Sequence, residues 1–345
     1  SMQKKLWEAT ASQKKNSNLR KFEKILNQKH KFTGFGNYNK LLKWSINNPN
    51  LFWSALWDFS EIKGTKSTKF KKNKKFINNK FLFKSKLNFT ENLLKKNTNE
   101  KAITFLSENG YREIRTWKKL KENVENLSFF FKKNNLRKND RIAAYMPNQI
   151  ETVECFLATT AIGAIWSSCS PDFGSPGLIE RFSQINPKML ILTDRYYYNG
   201  KEINILERLP SILKKIKSIK KIIIYPYPGK KIKTVKKLNK IKIFYKKDIL
   251  KIKKRFFKFE KFDFNKDLAI LYSSGTTGKP KCICHRSGGV LLQHLKEHKL
   301  HCEIKPGDNV FYFTTCGWMM WNWLVSSLAS EASIVLFDGF PMFKR

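Results

Sequence analysis

Apolar and polar positions along this chain change rhythm near residue 101. Before that point, basic polar stretches alternate with aromatic ones. Trp44-Ser45-Ile46 and the run FWSALWDF at 52–59 read as packing ridges of a helical cap, since dense aromatics mark core or interface. Lysine and asparagine then dominate 63–80, a composition that predicts a loop, and order returns over 87–94. Beyond residue 101, short apolar runs alternate with segments of helical period. The pattern predicts strands at 102–106, 141–146, 165–169, 189–192, 222–225, 268–271, 310–315 and 334–337. It predicts helices at 151–162, 178–185, 289–300 and 319–328, and one opened by Thr116 as N-cap, with Trp117, Leu120, Val124 and Leu127 at helical spacing. Pro147 and Gly163 punctuate this alternation.

Alternation of this kind implies an α/β fold: mainly parallel sheet layers flanked by helices, at 101–345, preceded by a helical N-terminal cap and linker at 1–100. Ligands on such sheets bind outside the carboxyl ends of the strands. Two stretches occupy such ends: SSCSPDFG at 167–174 and YSSGTTGKPK at 272–281.

Composition refines this picture. A 41% apolar fraction with 28 Phe and 9 Trp excludes a disordered chain. The formal charge of +41 suits either an anion-binding surface or compositional drift. The lysines fall in scattered pairs (71–72, 214–215, 236–237, 246–247), without the single stripe of a nucleic-acid footprint, and accompany abundant Asn, Ile and Phe. Drift is therefore the reading, and a nucleic-acid-binding protein is its rival. Six cysteines without framework spacing indicate reduced thiols in a cytoplasmic protein. Cys282, Cys284, His285, His294, His298, His301 and Cys302 cluster in sequence, but no Cys-x-x-Cys accompanies them, and no metal site is assigned. Residues 310–330 are uncharged and about as long as a membrane span, yet Thr314, Thr315, Gly317 and Asn322 interrupt them, so strand plus helix is the reading. The first thirty residues lack the apolar core of a signal peptide, and Ser1 ahead of Met2, which reads as an added residue or an over-extended translation start, is set aside.

The stretch 272–281 concentrates the chemistry a polyphosphate needs. Ser273, Ser274, Thr276 and Thr277 supply hydroxyls, Gly275 and Gly278 allow backbone N–H groups to close on an anion, and Lys279 and Lys281 add charge. Its glycines are too close together for the common nucleotide loop, and Pro280 follows Lys279 where that loop has Ser or Thr. A polar turn between a strand and a helix is the plainer alternative.

The same stretch, following an apolar strand, resembles the phosphate-loop signature of the acyl-adenylate-forming (AMP-binding) ligases, the superfamily of acyl-CoA synthetases and luciferases. The resemblance implies the N-terminal part of that family's large domain, with ATP, Mg²⁺ and coenzyme A as cofactors or co-substrates. By resemblance, Ser273, Ser274, Gly275, Thr276, Thr277 and Gly278 contact the β- and γ-phosphates. Lys279 and Lys281 then neutralise the leaving pyrophosphate, Lys281 being the nearest to a catalytic residue. GAIWSSCSPDFG at 163–174, TTCGWMMWN at 314–322 and Asp338-Gly339 with Pro341 are similar to the branch acting on acetoacetate more than to the acetate or propionate branches. That similarity puts Trp318, Met319 and Met320 at the acyl pocket. It puts Tyr198-Asn199-Gly200-Lys201 at the phosphates of the CoA nucleotide, with lysine where an arginine is common. Family members continue for about as many residues again, with an adenine-binding segment and a mobile domain bearing a lysine. The chain is accordingly expected to bind MgATP weakly and to form no product unaided, with a separate chain supplying the remainder as one option. No nucleic acid or membrane partner is implied.

Overall fold

The structure, a computed structural model, describes residues 4–252, 256–273, 275 and 278–344. Seven strands among these residues form a sheet in the order Lys242–Tyr245, Lys221–Tyr225, Met189–Thr193, Arg141–Tyr145, Ile165–Cys169, Asp267–Ser273 and Lys281–Arg286. The first six run parallel and the last is antiparallel. After Arg141–Tyr145 the chain adds a strand on one side, then crosses to the other. The carboxyl end of that central strand is therefore a topological switch point, where open α/β sheets place their ligands.

The inner strands are largely apolar because both faces are covered. Ile142, Ala144, Ile191 and Ile223 turn into one core with Trp117, Val124 and Phe156, from helices Trp117–Lys133 and Ile150–Ala161. Their neighbours Ala143, Tyr145, Leu190, Leu192, Ile222 and Ile224 turn into a second core with Leu178, Phe182, Leu209 and Ile212. The period of two along each strand thus separates two helical layers. Helix Ile150–Ala161 is buried at every position but Glu151, with helices Trp117–Lys133 and Phe89–Leu93 packed on it, and a second sheet adds Ile103, Phe105, Ile334 and Leu336 to the same core. That sheet has the order Asn309–Phe311, Ser333–Asp338, Lys101–Ser107 and Arg112–Thr116, the last antiparallel to its neighbour.

Several expectations hold closely. Thr116 does cap its helix, its side chain accepting from the Lys119 N–H, and the strand at 165–169 has those bounds. Helices Ala11–Asn16, Asn18–His30, Tyr38–Asn47 and Pro49–Phe59 form the N-terminal cap. Others need correction. The stretch 63–80 is not all loop: Lys69–Lys71 pairs with Lys80–Phe83. The helix expected at 178–185 runs from Ser175 to Phe182, because Pro176 suits its first turn. The strand expected at 310–315 ends at Phe311. No described helix is long and apolar enough to cross a membrane.

Candidate functional site

The loop at 272–281 joins two antiparallel strands, not a strand and a helix. Ser273, the last residue of its strand, is in register with Lys281, the first of the next. The strand Lys281–Arg286 was illegible because KCICHR lies at the sheet edge, exposed over its first four residues, and so carries no apolar face. Anchors hold both ends of the turn. Ser167 Oγ donates to the Ile270 carbonyl at 2.9 Å and lies 2.9 Å from the Tyr272 hydroxyl. Gln184, just past helix Ser175–Phe182, donates through Nε2 to the Pro280 carbonyl at 2.9 Å. The tip is open. Gly275, Gly278, Lys279 and Lys281 are exposed. At Gly278, φ is +86° and a Cβ would meet nothing within 4 Å, so the site has both the left-handed backbone glycine tolerates and room for a ligand. The roles expected of Ser274, Thr276 and Thr277 lie outside the described residues.

At the switch point, the carboxyl ends of both sheets are tied together by Asn148, one residue past Pro147. Its backbone N–H donates to Asp338 Oδ1 at 2.8 Å, and Nδ2 donates to the carbonyls of Thr314 (3.2 Å) and Phe337 (3.3 Å). Its Oδ1 accepts from Trp321 Nε1 at 2.9 Å. Ser168 Oγ donates to the Cys316 carbonyl at 2.6 Å. These bonds lay 314–321 across the ends of Arg141–Tyr145 and Ile165–Cys169, and a Cβ on Gly317 would touch backbone of Ser168, Cys169 and Ser170 at 3.6–3.8 Å. Trp318 and Met319 are consequently exposed beside the strand that neighbours Asp267–Ser273, the strand leading into the turn at 272–281, with Met320 half-buried. Burial pushes the Asp338 carboxyl up to about 7, against the hydrogen bonds from Asn148 and Tyr227.

The segment 167–174 is fixed by Arg208, whose Nη1 donates to the carbonyls of Pro171 and Phe173, both at 3.0 Å, and meets the Tyr145 hydroxyl. Asp172 accepts from Ser170 Oγ (2.7 Å) and from the Tyr196 hydroxyl (2.9 Å).

Tyr198, Gly200 and Lys201 sit at the turn of a hairpin, Arg195–Tyr198 with Lys201–Asn204, that the sequence pattern did not reveal. Gly200 has φ +76°. Its N–H is already engaged: the buried carboxylate of Glu108 accepts from Gly200 N (2.8 Å), Asn199 N (2.9 Å) and Phe340 N (2.7 Å). Lys201 is exposed, and the Tyr198 ring packs against Tyr196 and Phe340.

The sequence cluster of cysteines and histidines disperses. His294 and His298 are buried on a helix, where His294 Nδ1 meets Ser326 Oγ at 2.7 Å, while Cys282 and Cys284 are exposed on the edge strand. Among the described residues no three His, Cys, Asp or Glu side chains are grouped to hold a metal ion.

A two-sided parallel sheet with an open glycine- and lysine-bearing turn at a strand's carboxyl end defines an α/β domain whose candidate ligand crevice lies at that end. The family model described as AMP-binding enzyme matches residues 90–345, and the chain belongs to that family. It is 40% identical to the acetoacetyl-coenzyme A synthetase of Rhizobium meliloti (strain 1021) and 41% identical to the acetoacetyl-CoA synthetase of Gallus gallus. Each alignment covers 89% of this chain and 47% of the relative. The fold matches a structure of acetoacetyl-CoA synthetase from Streptomyces lividans with a TM-score of 0.91 and 30% identity, over 99% of this chain and 52% of that one. The chain thus spans about half the length of the curated relatives it matches.

Proposed function

We propose that this chain serves the ATP-dependent joining of acetoacetate to coenzyme A through an acetoacetyl-adenylate. The acetoacetate carboxylate attacks the α-phosphorus of ATP and pyrophosphate leaves. The CoA thiol then displaces AMP to give the thioester. The observation that carries this reading is identity near 40% with acetoacetyl-CoA synthetases over 89% of the chain, beside a family match at 90–345 that spans the open turn.

In this reading, backbone N–H groups of the turn around Gly275 and Gly278 meet the β- and γ-phosphates. Lys279 and Lys281 stabilise charge as it builds on the leaving group. The fit is supported by the space above Gly278 and by the exposure of both lysines. When bound, Mg²⁺ supplies charge neutralisation on the phosphate oxygens, which themselves carry it; no side chain of this chain is assigned to it. Trp318, Met319 and Met320 border the acyl group. At the hairpin turn the CoA phosphates would be met by Lys201 and the Tyr198 hydroxyl, because Glu108 already occupies the Gly200 N–H. Lysine there neutralises a phosphate without the two-pronged grip of arginine.

The test is ATP–pyrophosphate exchange across acetoacetate, acetate, propionate and butyrate, run on the chain joined to the remaining half of a relative. Exchange highest with acetoacetate supports the reading. Preference for acetate or propionate, or the absence of exchange with every acid, rejects it.

A further inference from the structure

Two of the six cysteines are placed as a pair. Cys282 and Cys284 alternate with Ile283 on the edge strand Lys281–Arg286, so both project to one side of it. They are opposite Tyr272 and Ile270 of the inner strand. Both are free and exposed, and both line an open cavity of about 1020 Å³ together with Ile77, Val290, His294 and Met319. The remaining cysteines offer no such arrangement: Cys155, Cys169 and Cys316 are buried, and Cys302 is exposed alone.

Strand geometry decides what such a pair can hold. Two residue steps of roughly 3.3 Å separate the Cα atoms by about 6.7 Å. Direct disulfides favour about 5.5–6 Å and reach their limit near 6.8 Å, so an S–S bond would strain the strand. One bridging atom relaxes that demand, because two bonds of roughly 2.3 Å, as in metal thiolates, leave the sulfurs well over 3 Å apart. Partial burial also pushes both thiols up, with Asp267 adding to the effect at Cys284.

We propose that Cys282 and Cys284 form a dithiol site for a soft electrophile that bridges two sulfurs, trivalent arsenic being the chemical class. With an arsenoxide, two S–As bonds form, the arsenic–oxygen bond breaks, and both thiol protons leave with the oxygen as one water. Arsenic stays trivalent, and no oxidant or reductant is required. Among the described residues no third ligand is grouped with the pair, which fits an organoarsenic centre, needing only two protein sulfurs, better than an ion needing four. The bridge would fix the strand whose first residue, Lys281, closes the turn at 272–281.

The test uses the whole chain, reduced and freed of reductant, titrated with phenylarsine oxide. The expected result is loss of two titratable thiols per arsenic bound. Peptide mapping should locate the adduct across Cys282 and Cys284, and dithiothreitol should reverse it at concentrations where 2-mercaptoethanol does not. Cys282→Ser and Cys284→Ser should each weaken binding at least tenfold, and Cys302→Ser should leave it unchanged. Mapping of the unsubstituted protein keeps the test decisive if a variant misfolds. One thiol lost per arsenic, an adduct elsewhere, or equal reversal by the monothiol overturns the proposal.

Discussion

Replacing Glu108 with alanine should disconnect two parts of the molecule that lie far apart in sequence. Its carboxylate holds three backbone N–H groups, two on the hairpin turn at 199–200 and one on Phe340, just past strand Ser333–Asp338. Hydrogen bonds to a charged acceptor contribute about 1.5–3 kcal/mol each when buried. Asn199 and Gly200 are exposed, so water recovers part of their share, whereas Phe340 is half-buried. Gly339 adds to the cost. A Cβ there would be 2.8 Å from Glu108 Cβ, Cγ and Oε2, so the truncated side chain leaves a gap against that backbone. The net loss should be about 3–4 kcal/mol by urea denaturation. Amide exchange at Asn199, Gly200 and Phe340 should rise together, because one acceptor serves all three. Glu108→Gln should recover little, since its amide turns a donor toward donors. Added formate should restore protection in Glu108→Ala alone. A loss below about 1 kcal/mol, with unchanged exchange at Phe340, would refute the role of this carboxylate as the shared acceptor.

Lys281→Ala should leave the thermal midpoint within a few degrees, because the side chain is exposed, yet weaken MgATP binding by calorimetry at least tenfold; parallel losses would mark a structural role. Asn148→Ala should cost about 3 kcal/mol in chemical denaturation, since it strands the Trp321 indole N–H and two carbonyls. Burial lowers the His294 imidazole from 6.5 to about 3. The unfolded chain therefore binds the extra proton across that window, and stability falls as pH drops from about 6.5 toward 3. His294→Asn, which can still meet Ser326, should flatten the slope of unfolding free energy against pH there; an unchanged slope would show that other groups carry it.

What could be read from the chain follows from how local each signal is. Thr116 and the apolar positions behind it announce a helix within a dozen residues, and both outcomes match. The strand at 165–169 is buried at every position, so composition alone reveals it. The turn at 272–281 is legible because hydroxyls, glycines and lysines are contiguous. Asn148 and Glu108 were not, since their partners lie 166–190 and about 90–230 residues away and neither belongs to a local motif. The hairpin at 195–204 was hidden for another reason. RYYYNGKEIN contains an Asn-Gly turn, but its strands carry tyrosine and charge on both faces, so no apolar alternation frames it. The edge strand at 281–286 failed likewise.

That edge strand has a mechanical consequence. The turn at 272–281 has both stems in one sheet, with Ser273 and Lys281 in register, so the spacing of its two ends is set by the ladder. A molecule captured there would tighten the outermost ladder rung first. The amides of Cys282 and Cys284 become natural reporters of occupancy, readable by exchange or by a probe on either sulfur, before any bond is made or broken.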